Sequence, residues 1–248
     1  MYSDALKHAL DPIAWCKEDL GITPRLFQKD LLTTQARRIV LCCHRQSGKT
    51  EGCALLSTHA LLFRTGHTVL AAPTFKQSDR LARRVRKYLG KTHQRVNLIS
   101  DNRFFMETDI GSSLTVVSLD SPDNVRGISG VSLIIIDEAA AVDQEAFAAL
   151  TPAMSAVENS QQIIISTPRG QIGLFWELYN NASYEKYFLP ASKNPTVSAS
   201  WLEEEKKALG DLLYSQEYEC SFTSAQSCVF DLDKIRRCFT PQIKAVRL

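Results

Sequence analysis

What the sequence lacks narrows it first. No apolar run approaches the ~20 residues that a membrane-crossing helix needs. The longest candidate, Leu133-Ile134-Ile135-Ile136, ends on two acids, so no membrane partner is expected. The first residues, Met1-Tyr2-Ser3-Asp4, carry neither a basic nor an apolar stretch, and no secretory leader is expected. No Cys-x-x-Cys pair occurs among Cys16, Cys42, Cys43, Cys53, Cys220, Cys228 and Cys238, which argues against a zinc ribbon. Seven is also an odd count and fits free thiols in a reducing cytoplasm. Internal repeats and low-complexity tracts are absent.

What is there is ordinary globular material. The 248 residues are 44% hydrophobic and 23% charged, enough for one large domain or one domain with an appendage. The net charge of +2 says little about partners.

Helical and loop sequence leads in over residues 1–35, broken at Gly21-Ile22-Thr23-Pro24 and restarting after Pro24. Four short apolar runs then read as buried strands: Arg38–Cys43, Thr68–Ala72, Val131–Ile136 and Ile163–Ser166. Helical stretches are expected between them at Thr50–Phe63, Phe75–Gln94 and Ala139–Leu150. Phe104–Thr108 and Leu114–Leu119 read as a hairpin about Gly111. Apolar strands alternating with helices predict an α/β fold with a central parallel sheet, mixed at its edges and flanked by helices. Residues 1–199 form the expected core. Residues 200–248, beginning with two polar helices at Trp201–Leu209 and Asp211–Cys220, read as a small lid subdomain and the start of a linker.

Three strand ends carry the chemistry. Cys43-His44-Arg45-Gln46-Ser47-Gly48-Lys49-Thr50 fits the P-loop (Walker A) pattern, with Cys43 in place of the first glycine. Such a loop turns backbone N–H groups toward phosphates at a helix start. Lys49 would reach the β- and γ-phosphates of ATP, and Thr50 would bind Mg²⁺. A chance Gly-Lys-Thr is the competing account. The second end, Asp137-Glu138 (Walker B), closes an apolar strand. Asp137 would hold Mg²⁺ and Glu138 would orient the attacking water. A helix cap would explain Asp137 but not both acids. The third is Ser166-Thr167-Pro168-Arg169-Gly170. Its hydroxyls would sense the γ-phosphate and couple its loss to motion, or would merely close a turn.

Supporting candidates surround these. The Gln28 amide, in Pro24-Arg25-Leu26-Phe27-Gln28, would read an adenine edge. Arg126, in the loop before the Asp-Glu strand, would neutralise transition-state charge as an arginine finger, in cis or from a neighbour, and Arg45 competes for that role. Residues 76–96 hold eight basic side chains and one acid, a local charge of +7. Arg80, Arg84, Lys87, Lys91 and Arg95 step by three or four along one helix face, which suits a nucleic-acid backbone better than intrahelical pairing.

Together these motifs resemble the ATPase domain of the large terminase subunit of tailed bacteriophages, the motor that packages DNA. The resemblance runs over roughly residues 15–230 and rests on the glutamine motif, the P-loop without its first glycine, Ala72-Pro73-Thr74, Val125-Arg126-Gly127, Asp137-Glu138-Ala139-Ala140, Ser166-Thr167-Pro168-Arg169-Gly170 and Gln216-Glu217-Tyr218 through Phe222. It implies a P-loop ATPase of the additional-strand, catalytic-glutamate class, with the Ser166-Thr167 strand between the P-loop strand and the Asp137 strand. It also implies double-stranded DNA, a portal protein and a small terminase subunit as partners, a homo-oligomeric ring built from subunits that are monomers in isolation, and work in the cytoplasm of an infected bacterium. The family continues into a nuclease domain. This chain ends at Ala245-Val246-Arg247-Leu248 without one, so a fragment lacking nuclease activity is expected. A superfamily-two helicase-like translocase and a non-catalytic DNA-binding module with a degenerate pocket are the rival readings.

Overall fold

The structure, a computed structural model, describes residues 2–92 and 96–223. Three helices lead in: α1 (Tyr2–Leu10), α2 (Pro12–Glu18) and α3 (Leu26–Thr33). Then follow β1 (Arg38–Cys43), α4 (Lys49–Phe63), β2 (Gly66–Ala72), α5 (Phe75–Leu89), β3 (Leu98–Asp101), β4 (Phe105–Thr108), β5 (Ser112–Ser118) and β6 (Val131–Asp137). After these come α6 (Gln144–Leu150), β7 (Gln161–Ser166), α7 (Leu174–Asn180), β8 (Glu185–Leu189) and α8 (Ala199–Glu217).

The eight strands form one sheet in the order β3-β4-β5-β2-β6-β7-β1-β8. From β5 to β8 every pairing is parallel; β3 and β4 add an antiparallel edge. The expected mixed-edge α/β sheet is therefore present, and β7 lies between β1 and β6.

Alternation along the strands builds a core on both faces. Ile39, Leu41 and Cys43 of β1 pack with α4 and α5, whereas Val40 and Cys42 pack with α6 and α7. Strands apolar on both sides can only be central, and each fully buried Ile or Leu contributes about 1.5–3 kcal/mol. Helix α4, buried at twelve of its fifteen residues, fills the first face.

Several elements depart from expectation. Helix α5 ends at Leu89 rather than Gln94. Gly90 follows it, the Lys91 N–H bonds the Tyr88 carbonyl at 3.0 Å, and Thr92 Oγ1 donates to the Leu89 carbonyl at 2.8 Å. Lys91 thus lies past the helix, and Arg95 lies outside the described residues, as do Cys228, Cys238 and the stretch after Thr223. The helix expected over Ala139–Leu150 is split. Glu138 takes a left-handed φ of 56°, a single tight turn covers Ala139–Ala141, and Asp143 caps α6 by accepting from the Ala146 N–H at 2.8 Å. The two polar helices after residue 199 form one run, α8, broken at Gly210, whose φ of 75° and ψ of 161° are not helical. Strands β3 and β8 and helix α7 were not foreseen.

Candidate functional site

Parallel strands deliver their carboxyl ends to one edge of the sheet, and ligands bind there. The ends of β1, β7 and β6 are neighbours at that edge. They carry the P-loop, Ser166-Thr167 and Asp137-Glu138 in that order.

The P-loop is held from three sides. The His44 N–H donates to the Leu189 carbonyl of β8 at 2.9 Å. The Arg45 N–H donates to the Glu217 carbonyl at the end of α8 at 2.8 Å. From the glutamine motif, Arg25 Nη1 donates to the Ser47 carbonyl and Gln28 Nε2 to the Gly48 carbonyl, both at 3.0 Å. Gln28 Oε1 accepts from the Arg25 N–H at 2.8 Å. The buried Gln28 amide is thus largely engaged by protein, leaving one N–H for a base. Gly48 has a φ of 89°, a conformation that favours glycine, and a Cβ there would stand 3.1 Å from Gln28 Nε2, so Gln28 would have to shift. Gln46 also takes a positive φ, of 60°, and projects into solvent beside Arg45.

Lys49 and Thr50, the first residues of α4, each meet one acid of the neighbouring motif. Lys49 Nζ lies 2.9 Å from Glu138 Oε1. Thr50 Oγ1 donates to Asp137 Oδ2 at 3.2 Å. Burial works against the Lys49 ammonium, yet its pKa lies above the ordinary lysine value because Glu138 and Asp137 face it. The adjacent Cys43 thiol, pushed up to about 12 by burial, is neutral at pH 7. Burial also raises Asp137 above the usual carboxylate range, against the pull of Lys49. Ser166 Oγ accepts from the Ala140 N–H at 3.1 Å, joining the tip of β7 to the segment just after Glu138. Thr167 beside it is buried.

The residues present fit a magnesium–phosphate group. Thr50 and Asp137 offer the hard oxygens that Mg²⁺ takes. Ser47 Oγ is fully buried with no hydrogen-bond partner among the described residues, and the loop around it is shaped by Gly48. Next to the loop, a cleft of about 540 Å³ is lined largely by apolar side chains, Leu26, Phe27, Leu41 and Phe188 among them, with Arg25 and Asn194 at its border.

Other expected residues stand apart. Arg126 is exposed and pairs with Asp123 of its own loop at 2.8 Å. On α5 the expected stripe is partly committed. Arg84 pairs with Glu51 of α4, Arg83 with Asp79 at 2.9 Å, and Arg86 with Asp101 at 2.9 Å. The premise that acids were too scarce for pairing fails, because Asp79 pairs within the helix and Glu51 and Asp101 arrive from other elements. Arg80 and Lys87 are exposed, with no ion pair among the described residues. Two residues that shape the site escaped the sequence. Arg25 lay inside the quoted glutamine motif. Asn194, whose Nδ2 donates to His44 Nε2 at 3.1 Å, follows β8 and carries no motif.

Residues 44–237 match the family described as "Terminase large subunit, T4likevirus-type, N-terminal". The chain belongs to this family. Among curated proteins it is 26% identical over 257 aligned positions to the large subunit of terminase from Thermus virus P23-45, covering 86% of this chain and 51% of that protein. The chain thus spans about half the length of the curated relatives it matches. Among solved structures, the ATPase domain of the Thermus phage P74-26 large terminase superposes with a TM-score of 0.74 at 24% identity, over 86% of this chain and all of that one. The large terminase of a thermophilic bacteriophage in complex with ADP gives a TM-score of 0.64 at 13% identity, over 79% of this chain and 53% of that one. At these identities the structural likeness speaks to the fold. No helix among the described residues is long and apolar enough to cross a membrane.

Proposed function

We propose that the chain is the ATP-hydrolysing part of a large terminase, a P-loop ATPase of the additional-strand, catalytic-glutamate class that drives double-stranded DNA into a procapsid. The convergence of Lys49 and Thr50 with Glu138 and Asp137 at 2.9 and 3.2 Å carries this reading. Family membership supports it, as does a structural neighbour solved with ADP. The strand order agrees with the proposed class.

Each residue has a derivable task. Backbone N–H groups of Gln46, Gly48, Lys49 and Thr50 would wrap the phosphates, assisted by the helix dipole of α4, while those of His44 and Arg45 hold the loop in place. The Lys49 ammonium leaves Glu138 for the β- and γ-phosphate oxygens. Glu138, so released, accepts a proton from water and aims it at the γ-phosphorus. Thr50 and Asp137 would hold Mg²⁺, which would supply neutralisation of phosphate charge. Ser166 would pass movement at the γ-position to the segment after Glu138. The cleft beside Gln28 would take the base. Arg126, exposed and away from its own P-loop partners, would serve a neighbouring subunit. The implied setting is a ring of such subunits at a portal, with a small terminase subunit, inside the infected host cell.

Steady-state ATP turnover by the purified chain, with Glu138→Ala as control, tests the reading. Turnover that Glu138→Ala abolishes is expected. Turnover that survives the substitution, or no turnover even at chain concentrations where subunits assemble, sinks it.

A further inference from the structure

Helix α5 carries six basic side chains, and its later turns are tied to the fold. Arg84 is held by Glu51, and Arg86 by Asp101 and the Asn102 carbonyl. Its first turns differ. Lys76, Arg80 and Arg83, with Arg103 from the loop between β3 and β4, line a cleft of about 390 Å³ whose fifth lining residue is Asp79. Asp79 is 4% exposed and lies 2.9 Å from Arg83 and 3.6 Å from Arg103. It offsets one of the four charges. Lys76 and Arg80 are exposed and have no ion pair among the described residues.

The loop that supplies Arg103 is preorganised. Arg86 pins Asp101 and Asn102, and Asn102 Oδ1 accepts from the N–H groups of Phe104 and Phe105 at 2.9 and 3.1 Å. The Arg103 guanidinium lies 4.7 Å from the Phe75 ring centre, and Phe75 packs on the exposed Phe104 at 4.8 Å. A solvated face would intersperse acids among its cations. Here like charges face one cleft, a repulsion that an incoming polyanion relieves.

We propose that Lys76, Arg80, Arg83 and Arg103 form the grip on the sugar–phosphate backbone of double-stranded DNA; this rests on the DNA-translocating reading above. Lys76 to Arg83 spans seven residues, about 10 Å of helix axis, which matches about three successive phosphates of one strand. The grip also has a short path to the nucleotide. Helix α5 follows directly from β2, and β2 pairs with β6, whose tip is Asp137.

The test is binding of the purified chain to a short DNA duplex across a salt series. Lys76→Ala/Arg80→Ala should flatten the slope of log affinity against log salt by about 2, and Arg103→Ala by about 1. Lys87→Ala/Lys91→Ala should leave the slope as it was. An unaltered slope in the first pair, equal loss in both pairs, or no duplex binding by the unmodified chain at low salt overturns the proposal. If the first pair does not fold, Lys76→Gln/Arg80→Gln removes the same charges. ATP turnover by the unmodified chain is a separate readout. No turnover even at chain concentrations where subunits assemble, alongside binding that depends on Lys76 and Arg80, would end the ATPase reading and leave this one standing.

Discussion

Lys49 Nζ and Glu138 Oε1 stand 2.9 Å apart, so the cation proposed for phosphate is held by the carboxylate proposed for water. Neither can take up its task while it holds the other. The pair is mostly shielded, with side-chain exposures of 10% and 31%, and Glu138 holds it from a left-handed backbone. On the proposed reading, ATP therefore breaks an ion pair before it gains the contacts of Lys49.

A consequence separates binding from chemistry. Glu138→Ala should lower kcat by about 10²-fold or more, the usual range for losing a general base. It should leave ATP affinity unchanged or tighter, because Lys49 no longer has to be released. Lys49→Ala should weaken binding itself. Equilibrium titration with a fluorescent ATP analogue, run beside turnover, reads both. Affinity lost in Glu138→Ala would argue that the pair supports the pocket rather than competing with substrate.

Arg126 is expected to act between subunits. Its exposure, with Asp123 as its one ion-pair partner among the described residues, leaves it free to enter a neighbour's site. Arg126→Ala should keep the ATP affinity of the isolated chain while cutting turnover in the assembled ring, on the order of 10³-fold for a finger supplied in trans. Mixing Arg126→Ala with Glu138→Ala subunits should recover activity at mixed interfaces. No recovery at any ratio would point to Arg45.

Stability should fall sharply in Gly66→Ala. Gly66 has a φ of 146°, and a Cβ there would lie 2.5 Å from Ser132 Oγ and 3.0 Å from Ser132 Cβ. Overpacking of this kind costs about 1–3 kcal/mol. A lower urea midpoint with an unchanged slope is expected, with partial recovery in Gly66→Ala/Ser132→Gly. An unmoved midpoint would mean that β2 and β6 do not approach this closely.

Stability should also fall in mild acid. Burial against Trp15 and Phe63 lowers the His59 pKa to about 4, from an ordinary value of 6.5. The unfolded chain then binds a proton between pH 6.5 and 4 that the folded chain refuses. This contribution is fully present above pH 6.5 and lost as pH falls toward 4, on the order of 3 kcal/mol. His44 and His67, also lowered by burial, act in the same direction. Denaturant unfolding of His59→Phe across that range should show a shallower decline than the unmodified chain. Parallel declines would remove His59 from the account.

The parts legible in the sequence are those where one physical signal dominates. Strands β1, β2, β6 and β7 are buried on both faces, so their apolar runs stand out. Lys49, Thr50, Asp137 and Glu138 were legible because a strand, a turn and a hard-ligand pattern coincide. Edge strands gave no such signal. In β8, Glu185, Lys186 and Phe188 remain exposed, and β3 is a four-residue, mostly exposed strand too short for a pattern to show. The end of α5 was missed because helical charge periodicity runs on past Gly90 while the backbone stops. The ion pairs of Arg84 and Arg86 were invisible because Glu51 and Asp101 stand 33 and 15 residues away in the chain.

The clasp on the P-loop has one more consequence. The bonds from His44 to Leu189 and from Arg45 to Glu217 run from main chain to main chain. Side-chain replacement at these four positions leaves them in place; only proline at 44 or 45 removes a donor. The tie between this loop and α8 is therefore insulated from ordinary sequence drift. Side chains can diverge at these positions and the loop still stays tied to β8 and α8.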